Sequence, residues 1–288
     1  MEAAFAQRLA FVFFARARFF EGKNVIHVVM VSTSMQVSID SHANCTQNAG
    51  MKNDYRIRFG TVGWQHPSWQ QGYYPEELPE DWWLPFYGNE FPVVGVPASL
   101  WSDEPASQVD EWLENSDEHF RFIFEWRWTN ADDLREFCQR LLPLQGRVLG
   151  VQLQLAWPCR LQQNELVTSL TAIAASTTLC LELMNEDYTR PVSSVDVDDE
   201  ELKALLLAAK ANCCWHGSEE ANALFFQASK LAVTKITDPT ISPQQLRRVL
   251  ETCSAQIQFH DAMVMLFDGQ PPSLNKVQEA MVMLELLA

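Results

Sequence analysis

The chain has 288 residues, 47% of them hydrophobic, and a formal net charge of −16. That is enough apolar material for one large core, and one α/β barrel of about 250 residues is a natural solution at this length. The acidic excess argues against nucleic acid and anionic membrane as partners, because such a surface repels phosphate backbones and anionic lipid.

Residues 1–50 differ in character from the rest. They hold four of the 21 basic and three of the 37 acidic residues, so the remainder carries 17 positive against 34 negative charges. Phe5 to Phe20 is apolar but broken by Arg8, Arg16 and Arg18, which suits neither a membrane span nor a signal peptide. Val25 to Ile39 could form a strand, after which the sequence is polar to Gly50. Met51-Lys52-Asn53-Asp54 has the look of a native start. Residues 1–50 are therefore expected to be a poorly ordered extension or an over-extended start, with one domain over 51–288.

From Tyr55 onward, apolar runs alternate with helical stretches, as βα units do. The alternating run Ile57–Val62 predicts the first strand, ending in Gly63-Trp64 and a loop with His66, Pro67 and Trp69. A helix follows around Asp81–Asn89, then a strand over Pro92–Val96. A helix over Pro105–Asn115 places Val109, Trp112 and Leu113 on one face. Phe120–Phe124 predicts strand three, and Ala131–Leu142 a helix with Asn130 as its N-cap and Pro143 just past its end. Val148–Leu155 and Thr178–Leu183 read as strands four and five, with a helix over Glu165–Ala175 between them. Asp198 to Glu201 opens a helix running to Ala211, its acids at the positive end of the helix dipole. Cys213–His216 is a short sixth strand and Leu231–Ile236 a seventh. Ser242 and Pro243 begin a helix to Cys253. Met263–Phe267 is the eighth strand, before a last helix over Leu274–Leu287; Gln256–His260 fits either neighbour. Strands alternating with helices favour a parallel sheet with helices outside it, either a closed barrel or a doubly wound open sheet.

The seven cysteines are scattered, odd in number and without C-x-x-C spacing. Most lie in apolar surroundings, where cysteine behaves as a small hydrophobe, so a reducing cytoplasm is expected and not a disulfide framework.

Gly60-Thr61-Val62-Gly63-Trp64, then Pro67 and Trp69, Tyr73-Tyr74-Pro75 and Leu78-Pro79, resembles the opening of the YecE-like family, domain of unknown function seventy-two. Phe120-Arg121-Phe122, Gln154-Leu155 with Pro158, Leu181-Glu182-Leu183 and Leu266-Phe267-Asp268 are similar to later strands of that family. The resemblance implies a single TIM-like (β/α) barrel and no particular reaction, since no activity is established for the family as a whole. It also marks departures. Val94-Gly95-Val96-Pro97 stands where V-E-I-N is common, Glu125 where a lysine is usual, and Met184-Asn185 where an Arg-His pair is usual. Lys235 replaces an arginine, and Asp268-Gly269 an Asn-Asn pair. Scaffold motifs survive while polar positions change.

In an α/β barrel, functional side chains stand at the carboxyl ends of the strands. Those ends supply Trp64, His66, Glu125, Gln154, Glu182, His216, Lys235 and Asp268. Glu125 and Glu182 are the candidate catalytic pair, one protonated and one ionised for acid–base work. With Asp268 or His216 they could instead hold a divalent metal, since oxygen and imidazole ligands suit magnesium, manganese or zinc. Against both stands the structural alternative, with Glu125 solvated in a loop and Glu182 in an ion pair with Lys235. Trp64, Trp69, His66, Gln154, Lys235 and Asp268 are candidate substrate contacts, though the aromatic residues also suit packing. Cys213 and Cys214 have no base or cation beside them in sequence, which argues against a reactive thiol. There is no G-x-x-x-x-G-K-[ST], G-x-G-x-x-G or G-x-S-x-G, so nucleotide-triphosphate and serine-hydrolase chemistry have no support. Two functions stay open: a hydrolase- or isomerase-like enzyme on a small polar substrate, or a non-catalytic barrel binding a ligand or protein partner.

Overall fold

The computed structural model describes residues 57–70, 72–101, 107–144, 146–157, 163–192, 200–217, 225 and 229–287. The expectations for residues 1–50, for Cys45 and for Cys159 lie outside this set. The chain divides after Asp54 into two units, and the second, Tyr55–Ala288, holds every described residue.

Eight parallel strands form a TIM-like barrel. They are β1 (Ile57–Val62), β2 (Val93–Val96), β3 (Arg121–Arg127), β4 (Val148–Ala156), β5 (Leu179–Met184), β6 (Asn212–Cys213), β7 (Ser229–Ile236) and β8 (His260–Phe267). Hydrogen bonding runs in the order β6-β5-β4-β3-β2-β1-β8-β7. A parallel bridge between Trp215 and Thr234 joins the two outer strands and closes the ring. Two main-chain hydrogen bonds make that seam: Trp215 N–H donates to Val233 O at 3.0 Å, and Lys235 N–H to Trp215 O at 2.7 Å. Strands covered on both faces read as nearly continuous apolar runs, as β5 does with all six residues buried.

The helices are α1 (Trp83–Gly88), α2 (Ala98–Trp101), α3 (Ser107–Glu114), α4 (Ala131–Arg140), α5 (Gln163–Ala174), α6 (Glu200–Ala209), α7 (Pro243–Gln256) and α8 (Leu274–Leu287). Local chemistry explains several of their ends. The Asn130 side chain accepts from the N–H groups of Asp132 and Asp133, both at 2.9 Å, satisfying two donors left over in the first turn of α4. Ser242 and Gln245 form a reciprocal capping box on α7, with Pro243 in the first turn. No helix among the described residues is long and apolar enough to cross a membrane.

Two buried clusters separate by layer. The larger lies mainly between sheet and helices, including Phe122, Phe124, Leu153, Leu181, Leu246 and Leu250. The smaller includes Val62, Val93, Ile123, Cys180, Cys214, Leu231, Val233, Val264 and Leu266. These residues share one face of their strands at a spacing of two, which places them inside the barrel. Glycine allows the strands to close here: a side chain at Gly60 would collide with the Val93 carbonyl on β2. The freed space admits the Tyr87 hydroxyl, which accepts from Thr61 N–H at 2.8 Å and donates to Val93 O at 3.1 Å.

Most predicted elements recur within a few residues. Three differences matter. Strand three extends to Arg127, so Glu125 lies within it and not in a solvated loop. A short helix, α2, follows β2 directly, where the sequence pattern predicts none. Gln256–His260 divides, with Ile257–Phe259 forming a 3₁₀ turn and His260 starting β8.

Candidate functional site at the carboxyl ends of the strands

Inward positions advance by two along each strand, so the face carrying Ile123 on β3 next presents Glu125. The same step leads from Cys180 to Glu182 on β5, from Val233 to Lys235 on β7, and from Leu266 past the end of β8 to Asp268. Gln152 and Gln154 occupy successive inward positions on β4. The result is a polar layer above the apolar interior, at the end where barrel chemistry is found.

Lys235 is its centre. Its Nζ lies 2.7 Å from Glu125 Oε1, 3.1 Å from Glu182 Oε1 and 3.7 Å from Asp268 Oδ2. Lys235 Nζ also reaches Glu182 Oε2 at 3.3 Å, and that oxygen accepts a further hydrogen bond, at 3.0 Å, from Gln154 Nε2. His216 Nε2 stands 3.4 Å from Glu182 Oε1. Glu125, Glu182 and Lys235 are 6%, 2% and 3% exposed, while the Asp268 side chain is 31% exposed. Beneath them, Gln152 Nε2 donates to Cys214 Sγ at 3.6 Å.

Burial and charge divide the two glutamates. Burial raises the Glu125 pKa, and the attraction of Lys235 does not fully offset it because Glu182 and Asp268 add repulsion. Burial acts on Glu182 in the same sense. There, however, Lys235, His216 and the Gln154 hydrogen bond together outweigh it and leave the carboxyl below its usual range. Burial alone would neutralise Lys235, but Glu125, Glu182 and Asp268 hold it charged, with its pKa well above the ordinary lysine value. The site therefore holds an ammonium between one carboxyl shifted towards protonation and one shifted towards ionisation.

The other residues singled out from the sequence take different places. His66 Nε2 is 3.1 Å from Val62 O, and its ring lies 4.4 Å from that of Trp69. Burial lowers the His66 pKa, with Val62 and Asp268 opposing. Trp64 is 1% exposed and meets Trp112 edge-on at 5.4 Å, while Tyr74 donates to its carbonyl at 2.7 Å. Trp69 is 6% exposed and packs on His66, Tyr73 and Tyr74. Both tryptophans thus sit in the aromatic packing of the first βα loop, outside the charged cluster. Glu125, Gln154, Glu182, His216, Lys235 and Asp268 are brought together.

Sequence reasoning passes over Gln152 and gives Cys214 little weight. The period of two is the available signal, since it puts Gln152 and Cys214 on the same inward face as Gln154 and His216. Cys214 also draws closer to the polar residues than its sequence neighbours suggest. One ligand atom each from Glu182, Cys214 and His216 lies within 4.8 Å of the others.

Residues 58–288 match the family model described as protein of unknown function DUF72. No curated protein matches the sequence. Among solved structures, a DUF72 family protein from Thermotoga maritima MSB8 is 14% identical, with a TM-score of 0.61 over 80% of this chain and 99% of that one. A DUF72 family protein from Enterococcus faecalis V583 is 13% identical, with a TM-score of 0.57 over 80% of this chain and 95% of that one. At such identities the likeness is one of fold.

Proposed function

The chain belongs to the DUF72 family, and from that premise we propose that its strand-end cluster is the acid–base centre of an enzyme acting on a small polar substrate, in a hydrolase- or isomerase-type reaction. The observation that carries this reading is the geometry: Glu125 Oε1 at 2.7 Å and Glu182 Oε1 at 3.1 Å from the same Lys235 Nζ, all three buried. Two carboxyl groups that share one ammonium and are pushed in opposite directions fit a proton donor and a proton acceptor. Glu125 serves as the acid, delivering its proton to a substrate oxygen. Glu182 remains ionised and acts as the base, oriented by Gln154. Lys235 stabilises negative charge developing between them, as a fixed cation does in a dry site. With Glu125 protonated, Glu182, Asp268 and Lys235 sum to one negative charge. That favours an uncharged, hydroxyl-bearing substrate over an anionic one. Asp268 and His66 stand towards the opening as the first polar contacts, and Trp64 and Trp69 hold the loop that carries His66.

A second reading rests on burial. An ion-pair network this well covered would equally suit a barrel that binds a ligand or a protein partner without reaction.

Conservative substitution separates the two. In a screen of small neutral polyols and sugars, Glu125→Gln and Glu182→Gln are each expected to abolish turnover while ligand-induced thermal shifts persist. Ligand shifts without turnover in the wild-type chain would favour the binding barrel. Neither shift nor turnover across the screen would remove the small-polar-substrate reading.

A further inference from the structure

We infer that Glu182, Cys214 and His216 form a three-ligand site for zinc or a similar thiophilic divalent cation. The three residues come from adjacent places in the barrel wall. Glu182 is on β5, and Cys214 and His216 follow β6, which pairs with it. The Cys214 N–H donates to Leu181 O at 2.7 Å, fixing the chain beside Glu182. The alternation of the strand then turns the Cys214 and His216 side chains to the same interior. Their ligand atoms already lie within 4.8 Å of one another. Bonds of about 2.0–2.3 Å from a central zinc require that triangle to contract and Lys235 to yield one Glu182 oxygen.

The donor set selects the metal class. A thiolate, an imidazole and a carboxylate together suit zinc, and the sulfur disfavours magnesium or calcium. Gln152 supplies the outer support such a sulfur ligand needs, donating to Cys214 Sγ from 3.6 Å. Charge balance points the same way. Glu182 and Asp268 face a single ammonium beside the protonated Glu125, so the cluster carries one uncompensated negative charge. Zinc adds two positive charges and Cys214 gives up its thiol proton to solvent as the sulfur–metal bond forms. The site is then neutral overall, and Lys235 keeps Glu125 and Asp268 as partners. Three protein ligands leave a fourth position for water, as in hydrolytic zinc sites. The His216 side chain is 14% exposed, which gives that position a way to the opening.

The role of such a metal in turnover rests on the proposed reaction centre, but its binding does not; with the metal bound Glu182 is a ligand, so its part as a free base belongs to the metal-free site. Cobalt(II) is the probe: the full chain is freed of metal with a chelator and titrated with cobalt(II), then with zinc. The expected result is one equivalent bound, a near-ultraviolet thiolate-to-cobalt charge-transfer band, and loss of that band as zinc displaces cobalt. Cys214→Ser should abolish the band, Cys213→Ser should keep it, and His216→Gln should weaken binding by about tenfold or more. Circular dichroism establishes that each variant folds. Should Cys214→Ser not fold, the wild-type band together with its weakening in His216→Gln decides the matter. No band in the wild-type chain, or a band unchanged in Cys214→Ser, overturns the site. Because Glu125 is outside the ligand set, loss of turnover in Glu125→Gln with no cobalt binding would sink the metal and leave the acid–base centre standing.

Discussion

The barrel interior is built twice by the same strands, and the two halves obey different physics. In the lower layer, Val62, Val93, Ile123, Leu231, Val233, Val264 and Leu266 meet as apolar side chains. One inward step along β3, β5 and β7 brings Glu125, Glu182 and Lys235, equally buried and held by ion pairs. Apolar contacts are non-directional and additive in area. Buried charges are directional and depend on one another, because removing one partner leaves another uncompensated. The lower layer therefore sets the barrel's diameter and register, and the upper layer uses that rigidity to hold charges that would otherwise repel or hydrate.

Lys235→Met breaks the upper layer most severely, since three carboxylates lose their shared cation. A loss of about 3–5 kcal/mol is expected near neutral pH. The cost should shrink on acidification as the carboxyls take up protons. Urea unfolding of both proteins across that range reads it. A cost independent of pH would mean that the lysine acts by packing alone.

Leu266→Ala tests the lower layer. It removes a buried apolar side chain and should cost about 2–5 kcal/mol, with the spread set by how far the cavity collapses. This loss should not vary with pH and should leave cobalt binding intact. If the metal response fell together with stability, the two layers would be coupled, and the division between them would not hold.

Glu125→Gln should have the smallest effect and is the most informative about sign. A raised carboxyl pKa means that the folded protein binds that proton more tightly than the unfolded chain does. Its contribution is complete below the ordinary value of 4.5 and is lost as pH rises through the folded value. Melting temperatures followed from acid to neutral pH should show the variant gaining on the wild type as pH increases. Glu182→Gln should behave in the opposite sense. The ionised Glu182 stabilises above 4.5 and loses that contribution as pH falls through its lowered folded value.

The same contrast governs what is legible in the sequence. The strands are readable because burial on both faces writes them as apolar runs, and β1 and α8 occur where the pattern places them. The caps on α4 and α7 are readable because Asn130 and Ser242-Pro243 act locally. The charged cluster is readable only as positions. Strand ends name its members, but whether Lys235 meets Glu125, Glu182 or both depends on three strands brought together across the barrel. The end of β3 is misplaced because Glu125 looks like a solvent residue, and only tertiary ion pairing keeps it inside a strand. Trp64 and Trp69 are ambiguous for the reverse reason. Their size suits a ligand face or a packed loop equally, and their neighbours Trp112 and Tyr74 lie far along the chain or on the same loop.

The closure between β6 and β7 has a mechanical consequence. β7 is registered to β8 through seven residue pairs, whereas the opposite side of β7 is held at the bridge of Trp215 to Thr234. Asn212 Nδ2 adds a hydrogen bond to Leu231 O at 3.0 Å across the same seam, so the wall is a hoop with one short clasp. His216 hangs on one side of the clasp and Lys235 on the other, both reaching Glu182. Unfastening it would part the two side chains that face this carboxylate and let water reach it, while the seven strand-to-strand ladders kept their pairing. Glu182 therefore fastens the hoop from within, and the charge that serves the site also resists its opening.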